Sequence, residues 1–406
     1  MVKKRSKLIP LFLLLLIFAL FCQRSLFNII NMPCNFYVNY EEIEEANQKD
    51  LYGRFVSLEL SSKEINTDNT KGNRGEVVFK LFGLIPIKKV AVKIMPEEKV
   101  YVGGVPIGLK IQTDGVAVVG DCVVSSKNAD VYKNKHIKNG DIIQEIDGVS
   151  VKKISDLTDH ISNKTNESVE LKLLRNGKTH YEKVTLIKNE EDKYRLGVWV
   201  KDDCSGIGTL TFVKCTDNSF GALGHAITNN GRDESIVPMI DGEVYACNLV
   251  NIEKGGKNHP GELQCVFVER DKCGVIEKNT KVGIYGKLNN MQQLVDTNKT
   301  LSLGGRLSVK PGKAKIVSSV SGIQEEYEIE IIKTNYQAKC DDKSFVFRVK
   351  DDRLLSLTGV IVQGMSGSPI VQNGKLVGAV THVFVSDSTK GYGVYTDWML
   401  QQIEDC

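Results

Sequence analysis

The sequence predicts a mainly β protein with an amino-terminal membrane anchor and at least two folded units. The chain has 406 residues, 41% of them hydrophobic and 25% charged, which is a globular composition too long for one ordinary domain. Apolar and polar residues alternate along 76–94, as in half-buried strands. From residue 195 onward the chain is rich in Gly, Val, Ile and Thr, with frequent turn signals, which favours a β barrel or sandwich.

The first 24 residues carry the predicted anchor. An apolar run from Leu8 to Cys22 follows four cations, Lys3, Lys4, Arg5 and Lys7. The run is short for a helix that crosses about 30 Å of hydrocarbon, and no A-x-A-like cleavage site follows it. We therefore predict an uncleaved signal anchor, with its basic end in the cytoplasm and the rest of the chain exported. A cleaved signal peptide is the alternative.

Charge and cysteine content exclude two classes of site. The formal net charge is +3, and removing the four cations before Leu8 leaves −1 for the rest of the chain. A nearly neutral body lacks the clustered basic face that nucleic acid requires. The ten cysteines are scattered without a C-x-x-C pair, so we expect no metal site and no cofactor. Free thiols are favoured, with one or two disulfides as the alternative.

The clearest motif of the middle region is a strand between two turns. Gly140–Val149 alternates apolar residues and is bounded by an Asn-Gly and an Asp-Gly turn pair. A helical apolar pattern follows at 154–161, and then a strand at Val169–Leu174. This order, with the signature G-D-x-I-x-x-I-D-G-x-x-V that ends at Val151, resembles a PDZ domain of the bacterial type.

The same resemblance implies a peptide-binding edge. Ile107, Gly108, Leu109, Lys110 and Ile111 look like the loop and edge strand that receive a peptide carboxyl terminus. An unpaired strand edge supplies main-chain hydrogen bonds to the peptide, and free N–H groups hold its carboxylate. Intramolecular regulation and packing on the neighbouring domain are the alternatives.

A serine between glycines is the first candidate catalytic group. In Gly364–Pro369, the glycines let the backbone curl so that two N–H groups converge on a developing oxyanion. If Ser366 attacks a carbonyl, the amides of Gly364 and Ser366 are the natural donors. The run resembles the G-x-S-G-x-P loop of chymotrypsin-like proteases, with Ser368 where a second Gly is usual. A simple glycine-rich turn is the alternative.

A serine nucleophile needs a base, and two of the six histidines are candidates. His225 follows Gly224 at a predicted strand end, where a barrel protease presents its base. His382 is embedded in an apolar strand and is interpreted as a core or substrate-strand histidine. The other four lie in the PDZ-like region or in a polar stretch: His136, His160, His180 and His259.

The third member of a triad is a carboxylate that fixes the imidazole tautomer. Asp351 and Asp352 are adjacent, and spacing alone does not separate them. The chain order His225, Asp351, Ser366 is that of the chymotrypsin class, although triads arise on unrelated folds in several orders.

The whole chain resembles the stage IV sporulation protein B family of signalling peptidases. The resemblance rests on the anchor, the PDZ signature and four further runs: Leu223–His225, Val362–Pro369, Gly378–Val383 and Gly391–Tyr395. It implies that His225 is the base, Ser366 the nucleophile and Asp351 the acid, because the family's aspartate precedes Arg or Lys by two positions and then Leu-Leu. The predicted segments are an anchor at 1–24, a tether and β region at 25–98, a PDZ domain at 99–190 and a peptidase domain at 191–406.

By this resemblance we expect a membrane-anchored, extracytoplasmic serine endopeptidase with a chymotrypsin-like β barrel. Such proteins are made in the forespore and exported into the space between the two membranes around it, and self-cleavage can release them. They cleave themselves and a membrane-bound regulator of an intramembrane metalloprotease, which then matures a late sporulation sigma factor. The expected partners are therefore protein substrates and the membrane, without nucleic acid. The alternative is a non-catalytic PDZ scaffold with a degenerate peptidase domain.

Overall fold

The computed structural model describes most of the chain beyond the predicted anchor. The described residues are 35–38, 42, 56–61, 74–95, 98–126, 129–132, 136–175, 177–228, 236–256, 259–335, 337–384 and 386–404. The predicted anchor at 1–24 lies outside them, and among the described helices none has the length and hydropathy of a membrane span. The fold is mainly β, which confirms the predicted class.

The amino-terminal β region is a four-stranded sheet in the order β1-β4-β3-β2. Its strands are β1 (Asn35–Val38), β2 (Val56–Ser61), β3 (Arg74–Leu81) and β4 (Ile85–Ile94). The alternation in the sequence buries one face of β3 and β4, with Val77, Phe79, Val90 and Val92 inside. Tyr37 of β1 donates a hydrogen bond to Glu404 near the carboxyl terminus, so this sheet is tied to the last part of the chain.

The PDZ-like unit begins inside a long strand. After β5 (Lys99–Val102), the 16-residue β6 (Pro106–Asp121) leads into it. Its further elements are β7 (Val124–Ser126), β8 (Ala129–Tyr132), β9 (Ile142–Ile146), β10 (Val149–Ser150), α1 (Ile154–Ser162), β11 (Ser168–Arg175), β12 (Lys178–Thr185), β13 (Ile187–Lys188) and β14 (Tyr194–Arg195). The predicted strand, helix and strand are thus present, and they enclose one apolar core that includes Val116, Ile143, Leu157, Ile161 and Leu171.

The remainder of the described chain is a large set of strands with two short α-helices and a 3-10 helix at Glu269–Asp271. These elements are β15 (Val198–Lys214), β16 (Ser219–Ala222), β17 (Met239–Ala246), β18 (Asn248–Glu253), β19 (Glu262–Val266), β20 (Lys272–Thr280), β21 (Gly283–Leu288), β22 (Thr300–Leu303), β23 (Gly312–Ser318), β24 (Glu325–Thr334), β25 (Phe345–Val349), α2 (Asp352–Thr358), β26 (Pro369–Gln372), β27 (Lys375–Val383), β28 (Lys390–Tyr395) and α3 (Thr396–Glu404). With β5, β6 and the PDZ strands, most of them join one hydrogen-bonded network that closes on itself.

Two apolar cores lie inside this network. The first is built around β6, β15, β16, β17 and β21, with Ile107, Leu109, Phe220, Val244 and Ile284 in its centre. The second is built around β23 to β28 and α3, with Ile316, Tyr327, Phe345, Val380 and Tyr395 inside. In the described ranges the cysteines are free thiols, and these are Cys122, Cys204, Cys215, Cys247, Cys265, Cys273 and Cys340.

The predicted peptide-binding edge requires a correction. Residues Ile107, Gly108, Leu109, Lys110 and Ile111 form the first half of β6, which pairs with β15 on one side and with β17 on the other. The side chains of Ile107, Leu109 and Ile111 are 0–2% exposed. Because both edges of this segment are already hydrogen-bonded, it cannot add a peptide strand, and its apolar alternation serves the first core instead.

The PDZ-like unit is therefore inserted between two strands of the peptidase region. β6 and β15 pair antiparallel from Pro106–Thr209 at one end to Asp121–Val198 at the other, so the same two strands run through both units. β5 and the first half of β6 lie within the predicted PDZ boundaries of 99–190, yet they pair with β15, β17 and β22. The peptidase fold thus takes strands from both sides of the insertion.

A buried ion pair lies where β1 and α3 meet. Arg306 and Asp397 are both 0% exposed, and the Arg306 Nε atom lies 2.6 Å from Asp397 Oδ2. The guanidinium carbon also lies 5.2 Å from the ring centroid of Phe36 on β1 and 4.4 Å from that of Trp398 on α3. The Arg306 guanidinium therefore contacts aromatic rings of both β1 and α3 and stabilises their packing.

Asp397→Ala is expected to lower the free energy of unfolding by about 3–5 kcal/mol, because it leaves the Arg306 charge buried without a partner. Denaturant unfolding measures this loss. Replacing the pair together, Arg306→Met with Asp397→Leu, should recover most of it, since no isolated charge remains. Glu326→Ala is the matched control, because it breaks the half-exposed pair with Lys315 and should cost less than about 1 kcal/mol. Equal losses in the two single variants would contradict the role of burial.

Candidate active site

The candidate nucleophile lies in a tight loop before β26. The amide of Gly367 donates to the carbonyl of Val380 at 2.7 Å, and the amide of Val380 donates to the carbonyl of Ser368 at 2.9 Å. Gly367 has a φ of +97°, and a Cβ atom there would lie 2.0 Å from the carbonyl oxygen of Thr209. Only glycine fits this position, so the sequence pattern around Ser366 reflects a real steric demand.

The two predicted oxyanion donors are available. In the described part of the chain, the amides of Gly364 and Ser366 donate no hydrogen bond. The intervening amide of Met365 is bound to the carbonyl of Val362 at 3.2 Å, and that of Gly367 to Val380. The loop therefore leaves unpaired the same two N–H groups that an acyl-transfer enzyme uses to stabilise an oxyanion.

The hydroxyl of Ser366 is half-buried and donates a hydrogen bond to the carbonyl of Thr381 at 2.7 Å. Thr381 lies on β27, directly before His382. The nucleophile in this arrangement is thus held by a main-chain carbonyl, and it must rotate away from Thr381 to reach a base.

His225 follows a sharp turn at the end of β16. Leu223 and Gly224 both have left-handed backbone conformations, with φ of 67° and 70°. A left-handed leucine is uncommon and typical of strained functional segments. The amide of Leu223 donates to the carbonyl of Thr209 at 3.2 Å, which fixes this turn against β15.

Thr209 ties the histidine turn to the serine loop. Its carbonyl accepts from Leu223, its amide donates to the carbonyl of Ser366 at 2.9 Å, and its hydroxyl donates to the carbonyl of Gly364 at 2.6 Å. One residue of β15 therefore holds both candidate loops. The structure thus brings together the segments of His225 and Ser366, which are far apart in sequence and belong to different cores.

The imidazole of His225 is set up to accept a proton. Its Nδ1 atom lies 2.9 Å from the carbonyl oxygen of Ala226, so Nδ1 carries the hydrogen and Nε2 presents a lone pair. Burial lowers the pKa of His225, and the nearby imidazole of His382 lowers it further. The hydrogen bond to Ala226 and the charge of Asp342 act in the opposite direction. The base is accordingly neutral at physiological pH, as general-base catalysis requires.

His382 lies against His225 and is paired with a carboxylate. The two imidazole centroids are 4.8 Å apart, with an interplanar angle of 26°. The Nε2 atom of His382 lies 2.8 Å from Asp342 Oδ2. Burial of Asp342 opposes its ionisation, but hydrogen bonding and the charge of His382 outweigh burial, and its pKa falls to about 2. The sequence predicts a core or substrate-strand histidine at position 382, and the structure places its ring beside the candidate base.

Asp351 occupies a different position from that expected of a triad acid. It is the N-cap of α2, accepting from the amide of Arg353 at 2.9 Å, and it also pairs with the Arg353 guanidinium. The amide of Glu328 donates to its other oxygen at 3.2 Å. Asp352 is the first residue of α2. Among the described contacts, no hydrogen bond joins either aspartate to His225, so the structure connects the loops of His225 and Ser366 through Thr209 but does not bring in the predicted acid.

Sequence reasoning did not select Asp342. It stands in the loop before β25, next to Asp341, with no glycine setting or strand end to mark it as a site residue. Its position becomes visible only in three dimensions, where it meets His382 some 40 residues further along the chain.

Residues 192–400 match the family described as SpoIVB peptidase S55. Among curated proteins, none matches the chain significantly. The PDZ domain of the SdrC-like protein Lmo2051 from Listeria monocytogenes is 23% identical over 22% of this chain and 90% of its own, with a TM-score of 0.17. The active form of the Rv3671c protease from M. tuberculosis is 13% identical over 50% and 74%, with a TM-score of 0.29. The HtrA-type protease AlgWS227A with decapeptide is 10% identical over 74% and 62%, with a TM-score of 0.30.

Proposed function

Because the chain belongs to the SpoIVB peptidase S55 family, we propose that it is an exported, membrane-tethered serine endopeptidase of sporulation signalling. The observation that supports the catalytic activity is the environment of Ser366. Its loop contains two unpaired amides, and Thr209 binds this loop to the turn before His225, whose Nε2 atom presents a lone pair. A glycine-rich turn with no catalytic role has no need of these three features together.

The proposed reaction starts when the Ser366 hydroxyl leaves the carbonyl of Thr381 and gives its proton to Nε2 of His225. The serine oxygen then attacks the peptide carbonyl, and the amides of Gly364 and Ser366 stabilise the oxyanion. The imidazolium returns the proton to the leaving amine, and water hydrolyses the acyl-enzyme by the same route in reverse.

Asp351 is the proposed acid of the triad, on the family resemblance. In the described arrangement its carboxylate is bound to Arg353, just as the Ser366 hydroxyl is bound to Thr381. The Nδ1 atom of His225 is bound to the Ala226 carbonyl, so all three proposed catalytic groups have other partners. Such an arrangement suits a peptidase that acts once, at a set moment, rather than a digestive enzyme, because catalysis then requires these groups to exchange partners.

The proposed setting is the space between the two membranes around the forespore. There the anchor at 1–24 tethers the chain until self-cleavage, and the substrates are the chain itself and a membrane-bound regulator of an intramembrane metalloprotease. Cleavage of that regulator leads to maturation of a late sporulation sigma factor. The family resemblance supports this setting, and a chymotrypsin-like β barrel is the proposed fold around the site.

Labelling with a fluorophosphonate tests the catalytic proposal. The Ser366 oxygen should displace fluoride and form a bond to phosphorus, giving one adduct per chain that peptide mass spectrometry places on Ser366. Ser368→Ala is the matched control and should keep the label, because the Ser368 hydroxyl is buried and has no hydrogen-bond partner among the described residues. Absence of labelling in the folded chain at every pH would favour the non-catalytic PDZ scaffold instead.

A further inference from the structure

We propose that Asp342 and His382 form a positioning pair for the catalytic base: His382, held by Asp342, stacks on the His225 ring and keeps that ring in its proton-accepting state. This inference rests on the proposed peptidase function and assigns a role to two residues outside the predicted triad. Among the described residues, no hydrogen bond joins His382 or the Asp342 carboxylate to the Ser366 hydroxyl. They act through His225.

Strand β27 contains both His382 and the residue that binds the candidate nucleophile. Thr381 accepts the Ser366 hydroxyl through its carbonyl and donates through its own hydroxyl to the main-chain carbonyl of Asp342 at 2.8 Å. The next residue, His382, bonds the Asp342 carboxylate, also at 2.8 Å. Two neighbouring residues of β27 are thus fastened to one residue of the loop before β25, and this double attachment fixes the His382 ring.

The fixed ring covers one face of the base. With centroids 4.8 Å apart and an interplanar angle of 26°, His382 excludes water from that face of His225 and limits rotation of its imidazole. The other restraint on His225 is its Nδ1 hydrogen bond to Ala226. A histidine present for packing alone would not require a carboxylate, yet the Asp342 side chain is only 15% exposed and is bound directly to His382.

The His382 imidazole favours a neutral base. Stacked on His225, it lowers the pKa of that residue, because a positive charge on one ring opposes a second positive charge on the other. The Asp342 charge works against this effect, but it is the smallest of the influences on the pKa of His225. The remaining charged groups beside the pair belong to the same loop or its contacts: Asp341, which pairs with Lys281 at 3.6 Å, and Lys343.

Loss of the His382 imidazole is expected to raise the pKa of His225. An uncharged side chain at position 382 no longer lowers the pKa of His225, and the Asp342 carboxylate that remains raises it. The pKa of His225 therefore rises, and a larger fraction of the base is protonated at mildly acidic pH. The reaction of Ser366 needs the neutral base. As the pH is lowered, its rate therefore begins to fall at a higher pH in the variant than in the parent protein.

His382→Phe tests the proposal, because phenylalanine keeps a stacked ring without a charge. The second-order rate of fluorophosphonate labelling at Ser366 is measured from pH 5 to pH 9 on the full chain in detergent. We expect the acid limb of the profile to move up by about half a pH unit or more, with less than about a tenfold change in the rate at high pH. His382→Gln loses both the ring and the ionisable group. It should also move the acid limb of the profile to higher pH, and in addition it should lower the labelling rate at high pH.

Three outcomes are decisive. An acid limb that does not move in folded His382→Phe would show that His382 only packs, and complete loss of labelling would show that it transfers the proton itself; either result overturns the proposal. If His382→Phe does not fold, the same shift measured in His382→Gln decides. Absence of labelling in the parent protein would count against the peptidase function, and is thereby distinguished from failure of this inference alone.

Discussion

Ser366→Ala is expected to slow self-cleavage by a factor of about 10⁶, because the loop with the two unpaired amides then has no hydroxyl nucleophile at position 366. The other parts of the site should stay in place, since the one hydrogen bond of the Ser366 side chain within the described structure is that to the Thr381 carbonyl. The fold and the unfolding midpoint should therefore change little. The measurement is the appearance of amino-terminal fragments over time from purified full chain in detergent, by gel and mass spectrometry.

Two variants control this experiment. Ser368→Ala removes a hydroxyl from the same loop, two residues away, and should cleave at close to the parent rate. His225→Ala should be nearly as inactive as Ser366→Ala, and the double variant no worse than either, because members of a catalytic unit are not additive. Fragments that form at the parental rate in Ser366→Ala would remove this serine from the mechanism.

The loop of Ser366 and the turn before His225 are predictable from the sequence, because each depends on only a few neighbouring residues. The glycines around Ser366 mark a loop that only glycine can follow, since a Cβ at position 367 would collide with the Thr209 carbonyl. Gly224 likewise belongs to a left-handed turn that sets the direction of His225. These steric demands act within a few residues, so they are visible in the sequence. The PDZ signature around Gly140–Val151 is local in the same sense, and its strand, turn and helix are present.

The features that sequence reasoning missed depend on long-range pairing. An apolar alternation at 107–111 looks the same in an edge strand and in a central one, and only its pairing with β15 and β17 shows that no edge is open. The insertion of the PDZ-like unit follows from the same pairing. Asp342 meets His382 across 40 residues, and Asp351 caps a helix whose start the sequence marks only weakly. Spacing along the chain contains none of this information.

Asp351 can be tested in two ways that separate its structural role from its proposed catalytic one. As the N-cap of α2 it accepts the amide of Arg353, and Asp351→Ala should lower the free energy of unfolding by about 1–2 kcal/mol. Asp351→Asn should preserve most of that stability, because the asparagine oxygen also accepts the amide. Denaturant unfolding of the two variants gives this comparison and shows that Asp351→Asn is suitable for kinetics.

The same asparagine variant is expected to cleave about 10⁴-fold more slowly than the parent, since the imidazolium formed on His225 then lacks its carboxylate. The carbonyl of Ala226 can fix the tautomer of His225 but carries no charge, and the Asp342 carboxylate is already committed to His382. The described bond from Asp351 to Arg353 must break for this role, so Arg353→Ala should not reduce cleavage. Asp342→Asn is the matched comparison and should cost far less. If Asp342→Asn is the inactive variant and Asp351→Asn cleaves normally, then Asp342 is the acid and Asp351 only caps its helix.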